Sequence, residues 1–413
     1  MFEVLFTRPH VLALHHSSPC VESRERFLFH CSDLGYPRAS LRKIAWVLLV
    51  ISQSMDFCRP DRITHREIEY AVDHRVRLVR TEHLVDSKSS RNLFIHITTA
   101  WLRFLDYLED RHCNTEPFAH YVESFINYMR DQRGISPFTI TNYREAVMNF
   151  LASAWHPGIS LSAISIKDID GYLAHQGKHG WSRASLHTLA SALRVFFRYA
   201  EGQGWTNGVA AGIEAPRMFA QEGLPLGPTW EEVQKIIACF SDDSAANIRD
   251  RAIVLLLAIY GLRRGEVASL CLADVDWVGE ILHVSRPKQR CIQQYPLIPV
   301  VGEAILRYLK EVRPRCVHRE LFLSLNAPIR PIRSNSISPI VRSRLATLGI
   351  QVPTHGAHCL RHACARHLLA AGFSLKEVGD HLGHRSVAAT RIYAKVDLVG
   401  LRQVAELDLE SLL

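Results

Sequence analysis

LGHRSVAATRIYAKV (Leu382–Val396), with AHCLRHACARHLLAA (Ala357–Ala371) just before it, is where the fold is decided. Apolar residues recur at helical spacing across Ala357–Ala371, Leu375–Leu382 and Val387–Lys395, so three consecutive helices are expected. His358 and Arg361 stand at i and i+3 and share one helix face. His384 precedes the last short helix, which carries Tyr393 nine residues on. Upstream, YGLRRGEVASL (Tyr260–Leu270) puts Arg263 where a buried helix, Ala252–Tyr260, ends. RPKQRCIQQYPL (Arg286–Leu297) puts Lys288 in the turn of a β-hairpin whose arms are GEILHVS and CIQQYPLIP. Singly, each pattern has an ordinary structural reading: a capping arginine, a solvated turn lysine, a surface His–Arg pair, a half-buried tyrosine.

Further out, helical periodicity dominates. Thr229 with Glu232 is a capping box opening a helix to about Phe240. More helices are expected at about Gly302–Glu311 and Ile337–Leu348. Before the linker-like Pro216–Pro228 stretch lie four amphipathic helices, near Phe118–Arg130, Ser136–Ala154, Ile166–His175 and Ser182–Glu201. Earlier still there is an internal echo. ITHREI at Ile63 resembles ISIKDI at Ile164, and the run from Ser90 resembles the run from Ser182. Residues 30–110 therefore read as a second helical module of the same kind.

The chain of 413 residues has 49 Lys and Arg against 41 Asp and Glu, a net charge of +8. That sign suits a polyanionic partner. The excess lies mostly in the C-terminal half. The longest apolar runs, Ile44–Ile51 and Ala252–Leu262, are far short of the roughly 20 residues a membrane span needs. Glu3 and Arg8 break up the N-terminal apolar stretch, unlike a signal peptide. The ten cysteines form no CxxC pair and read as reduced thiols of a cytosolic protein.

In order and together, Arg263, Lys288, His358, Arg361, His384 and Tyr393 resemble the signature of the tyrosine recombinase (integrase) family: Arg, Lys, His-x-x-Arg, His or Trp, then Tyr. Supporting letters agree. Glu266 follows the first Arg by three, Lys288 lies eight before Pro296, Leu360 and His362 complete H-x-L-R-H, and Leu382, Gly383 and Ile392 frame the last box. The resemblance covers Pro228–Lys395 and, more loosely, Glu116–Glu201. It implies a mainly α fold with a small antiparallel β-sheet (α+β). The expected parts are an N-terminal helical extension (1–112), a SAM-like core-binding domain (113–215), a linker (216–228) and a catalytic domain with a C-terminal tail (229–413).

The resemblance also implies a chemistry. Arg263 and Arg361 would hold the non-bridging oxygens of a DNA phosphate as permanently charged forks. Fixed positive charge where negative charge develops is the main source of acceleration, and no metal or other cofactor is implied. Tyr393, whose phenol ordinarily titrates near 10, would attack phosphorus. His358 would take its proton or orient the phosphate, and His384 would donate to an oxygen. Lys288 would protonate the departing 5′ oxygen; Arg286 and Arg290 beside it release protons too reluctantly. The product is a 3′-phosphotyrosyl linkage that conserves the bond energy. Implied partners are double-stranded DNA and further copies, as a homo-tetramer on paired sites, with no membrane. The implied setting is cytoplasmic, at the nucleoid when DNA is bound. The extra N-terminal region suggests a mobile-element recombinase. The apolar tail Val396–Leu413 packs on its own domain or on a neighbouring subunit.

Two alternatives share the fold. A type IB topoisomerase has the Tyr, the two Arg and the Lys, but H-x-L-R-H with Leu-Gly-His favours a recombinase. An inactive DNA-binding relative would not need all six positions. A metal-dependent nuclease would need clustered carboxylates. Asp274 and Asp276 are the nearest, and both read as caps at the start of the hairpin.

Overall fold

Side-chain caps set the helix starts along the chain. Ser136, Ser182, Thr229, Ser244 and Ser374 each accept a backbone N–H of the first helical turn, which otherwise has no partner inside the helix. The computed structural model describes residues 1–55, 62–80, 88–109, 117–155, 160–218, 226–286, 291–384 and 390–393. The described residues divide into two compact units. One takes in Met1–Arg59, Ala71–Phe104 and Gly223–Leu413; the other takes in Pro60–Tyr70 and Leu105–Glu222.

The N-terminal helices are α1 (Phe2–Leu5), α2 (Pro9–Ser17), α3 (Val21–Asp33), α4 (Arg38–Ser52), α5 (His65–Arg80) and α6 (Lys88–Phe104). Helix α4 buries Leu41, Ile44, Leu48 and Ile51, the i, i+3, i+4 stripe of a core-facing helix. Thr64 and Glu67 form a reciprocal cap at the start of α5. Ser165 and Asp168 do the same 101 residues later, at the start of α9 (Ile166–Lys178).

The central helical module comprises α7 (Ala119–Asn127), α8 (Pro137–Ala154), α9, α10 (Arg183–Gly202) and the short α11 (Val209–Gly212). The expected stripe on α10 is buried at Leu189, Leu193, Phe196 and Phe197, with Leu186 half-buried. Rings fill this core. Phe196 meets Phe125 edge-on at 5.4 Å and Phe197 at 5.2 Å, and Phe150 meets Phe197 at 5.9 Å.

The C-terminal region is built around α13 (Ala245–Ile259), buried on nearly every face. It starts seven residues before the expected Ala252, because Ser244 caps it. Around it lie α12 (Trp230–Ala238), α14 (Arg264–Ser269), α15 (Pro299–Arg307), α16 (Ser334–Thr347), α17 (Ala357–Ala370) and α18 (Leu375–Leu382). The hairpin is β2 (Ile281–Arg286) with β3 (Cys291–Pro296), and a two-residue strand β1 (Val275–Asp276), not anticipated from sequence, pairs antiparallel on the other side of β2. Asp274 and Asp276 cap backbone N–H groups of Cys271, Val278 and Gly279, the structural role expected of them. Strand parity has a consequence for the site. Leu282, Val284 and Arg286 share the inward face of β2, so an arginine enters the core with two aliphatic side chains.

Candidate active site

Three arginines converge on one helix end. Arg361, on α17, donates to the carbonyls of Gly261 (2.5 Å) and Leu382 (2.7 Å). Arg286, on β2, donates to Leu382 O at 2.8 Å and to the Tyr295 hydroxyl at 2.5 Å. Arg263, the N-cap of α14, donates to Gly383 O at 3.2 Å. The last carbonyls of a helix lack intrahelical partners and carry its negative end, so cations gather there. Glu266 completes the cluster. One of its oxygens accepts from Arg263 (2.7 Å) and Arg286 (3.1 Å), and the other accepts from the Arg263 backbone N–H at 2.8 Å. The carboxylate thereby sets the direction of both guanidiniums.

Two glycines let these groups meet. Gly261 has φ +59°, and a Cβ there would lie 2.4 Å from Leu382 Cδ2. Gly383 has φ +60°, and a Cβ there would lie 2.4 Å from the central carbon of the Arg286 guanidinium. Left-handed backbone at the end of α18 turns the chain toward His384, and only a residue without a side chain leaves room for Arg286.

Arg286 is 1 % exposed and ion-paired with Glu266. Lys288 and Arg290 lie outside the described residues. Arg361 is also 1 % exposed, and burial followed by the charge of Arg263 lowers its pKa to about 10.

Tyr393 lies in the same pocket, 2 % exposed, in a short 3₁₀ turn. Its Oη is 2.9 Å from Nδ1 of His362. Burial pushes the phenol up to about 12 against the pull of Arg361 and Arg263. His358 does not make this contact. It packs edge-on against His362 with ring centres 4.3 Å apart and is the most solvent-open imidazole of the pocket. The ring of His384 is parallel to that of Tyr393 at 6.3 Å, and its Nδ1 is 2.7 Å from the Thr390 hydroxyl. Burial, then neighbouring guanidiniums and imidazoles, brings His362 and His384 down to about 4, so both are neutral near pH 7. His358 is lowered by burial and then by Arg361 and Arg263.

Five of the six expected residues thus come together: Arg263, His358, Arg361, His384 and Tyr393. Four supporting residues were not singled out from sequence for what they do here: His362, Thr390, Arg286 and Tyr295. The signal for Arg286 was available, since it stands in phase with Leu282 and Val284 on a half-buried strand. The apolar tail expected to pack on its own domain or on a neighbour lies outside the described residues.

Comparison with known proteins shows the family of the chain. The phage integrase family profile matches residues 229–398, and the profile of the phage integrase N-terminal SAM-like domain matches 122–204. A protein of Sinorhizobium fredii described as integrase/recombinase y4rA is 36% identical over 296 residues, 71% of each chain. Tyrosine recombinase XerD of Rhizobium meliloti is 29% identical over 293 residues, 68% of this chain and 92% of its own. Among solved structures, XerH site-specific recombinase on a palindromic difH substrate superposes with TM-score 0.55 at 18% identity, covering 84% of this chain and 98% of that one. A lambda integrase dimer bound to a core site gives TM-score 0.52 at 22% identity, covering 66% and 94%. Both show the same fold. The chain belongs to the phage integrase family of tyrosine recombinases and is a site-specific recombinase.

Proposed function

We propose that Tyr393 is the nucleophile that cuts one strand of duplex DNA, with Arg263 and Arg361 on the non-bridging oxygens of the cleaved phosphate. The observation that carries this reading is the buried phenol, in contact with an imidazole and within the field of both guanidiniums. The Oη–P bond forms as the P–O5′ bond breaks. The phenol proton passes to His362 Nδ1, the imidazole in contact, and Lys288 supplies the proton taken up by O5′. His358 and His384 donate to the phosphate; with the Nδ1 of His384 engaged by Thr390, its Nε2 is the nitrogen for that task. The 3′-phosphotyrosyl bond is then attacked by the 5′ hydroxyl of a second strand.

Magnitudes constrain the first step. Moving a proton from a phenol near 12 to an imidazole near 4 is uphill by on the order of 10 kcal/mol. A free phenolate is therefore not the attacking species at neutral pH. The proton leaves as the O–P bond forms, when charge passes to oxygens that the guanidiniums already hold.

We further read the protein as acting in a tetramer on paired sites of a mobile element. Support for a repeated N-terminal module comes from the Thr64–Glu67 and Ser165–Asp168 caps, which open equivalent helices at an offset of 101. To test the central claim, wild type and Tyr393→Phe are incubated with duplexes taken from the DNA flanking the gene and then denatured. The wild type is expected to carry covalent DNA; the variant should bind but carry none. Adduct in the variant would mean that another residue is the nucleophile.

A further inference from the structure

A cleft of about 480 Å³ opens beside Arg263 and His358, between α14, α16 and the loop leading into α17. Its walls add Arg264, Ser338, Arg342 and His355 to those two side chains. No carboxylate lines it among the described residues. Arg264 and Arg342 are exposed. Nη1 of Arg264 lies 3.4 Å from the Ser338 hydroxyl. Arg342 follows Ser338 by four in α16, so it projects from the same helix face toward the same opening. Gly356 lines the cleft opposite Ser338, and a Cβ there would lie 3.2 Å from Ser338 Cβ. Arg263 is paired with Glu266, but Arg264 and Arg342 face the cleft with no carboxylate in its lining; an anion would offset their charge.

We propose that this cleft is a second phosphate subsite, holding the DNA phosphodiester next to the one that is cut, with Arg264 and Arg342 as its guanidinium partners. It rests on the reading of the neighbouring pocket as the DNA-cleaving site. A nucleic-acid strand repeats its charge at every nucleotide, so a strand whose phosphate lies on Arg263 must place the next one close by. The cleft is contiguous with Arg263, concave and basic. Contacts of this kind carry no base information. They fix register and orientation, and so hold the scissile phosphorus in line with Tyr393.

The test uses the full chain carrying Tyr393→Phe, which removes cleavage from the measurement, and a duplex from the DNA flanking the gene. Binding is followed across a salt series for this protein and for Arg264→Gln and Arg342→Gln, singly and together. Both positions are exposed, and thermal unfolding checks that the variants stay folded. The double variant is expected to bind roughly tenfold more weakly or worse, and its log–log salt slope should fall by about one, because the one phosphate of the subsite is left unneutralised when both arginines are gone. Arg342→Lys should recover most of the slope, since a point charge still neutralises a phosphate. Arg307→Gln, an arginine already paired with Asp243 and Glu311, should leave the slope unchanged. An unaltered slope in the double variant, with steep binding by the parent, would refute the subsite while leaving the cleavage reading intact. A parent that binds no duplex would bring down both.

Discussion

The central helical module and the catalytic pocket both bury large side chains, but of opposite character. In the module, Phe125, Phe150, Phe196 and Phe197 pack edge to face, each with 0 % exposure. In the pocket, Arg286 and Arg361 are almost as deeply buried, packed against carbonyls and one carboxylate. Ring packing is favourable in proportion to the apolar area removed from water and tolerates partial repacking. A buried guanidinium is tolerated only while every partner stays in place. The module is thus built for stability, and the pocket gives up stability to hold buried cations together.

Glu266→Ala is where the contrast should be greatest. It leaves Arg286 buried without its counter-charge and frees Arg263 to swing. A loss of about 3–5 kcal/mol of stability is expected, with cleavage abolished. Calorimetry with adduct formation checks both; a stable, active variant would mean that the carboxylate directs neither guanidinium. Phe196→Ala should cost a similar or slightly smaller amount, about 3–5 kcal/mol. That loss should fall on the transition of the helical module and leave single-turnover strand cleavage on saturating DNA nearly unchanged. A collapse of the chemical step would show that the two cores are not separable in this way.

The smallest effect is a dependence on pH. His362 and His384 are near 4 in the fold, below the ordinary imidazole value of about 6.5, so the unfolded chain binds more protons between those values. Stability is full above about 6.5 and falls as pH drops toward about 4. His15, stacked between Phe2 and Phe6 and lowered to about 4 by burial and then Arg24, acts in the same direction. Between pH 7 and pH 5 the unfolding midpoint of the catalytic region should fall by several degrees, while the aromatic core, held by buried phenylalanines, should barely respond. Equal shifts in both transitions would erase the distinction.

The two regions were also unequally legible in the sequence. The stripe Leu189, Leu193, Phe196, Phe197 could be read at helical period, as could the ends of α17 and α18, because local periodicity and caps are short-range properties. His358, Arg361, His384 and Tyr393 could be placed for the same reason, being spaced within one or two helical turns of a recognisable frame. The start of α13 was misjudged because the expectation followed the apolar run from Ala252, while the helix begins with a polar stretch (Asn247, Arg249, Asp250, Arg251) behind the Ser244 cap. The meeting of His362 with Tyr393 could not be read, because 31 residues and a helix reversal separate them.

By itself, then, the sequence determined the helical character of the chain, the hairpin, the family and five of the side chains that meet in the pocket, since these follow from spacing, strand parity and side-chain chemistry. Tertiary structure alone decided which imidazole meets the phenol, that Arg286 is buried against Glu266 and Tyr295, and that Arg264 and Arg342 flank the cleft beside Arg263. Those outcomes depend on bringing Gly261, Gly383 and Glu266 together from distant parts of the chain, and burial and hydrogen-bond partners are settled only when that packing forms.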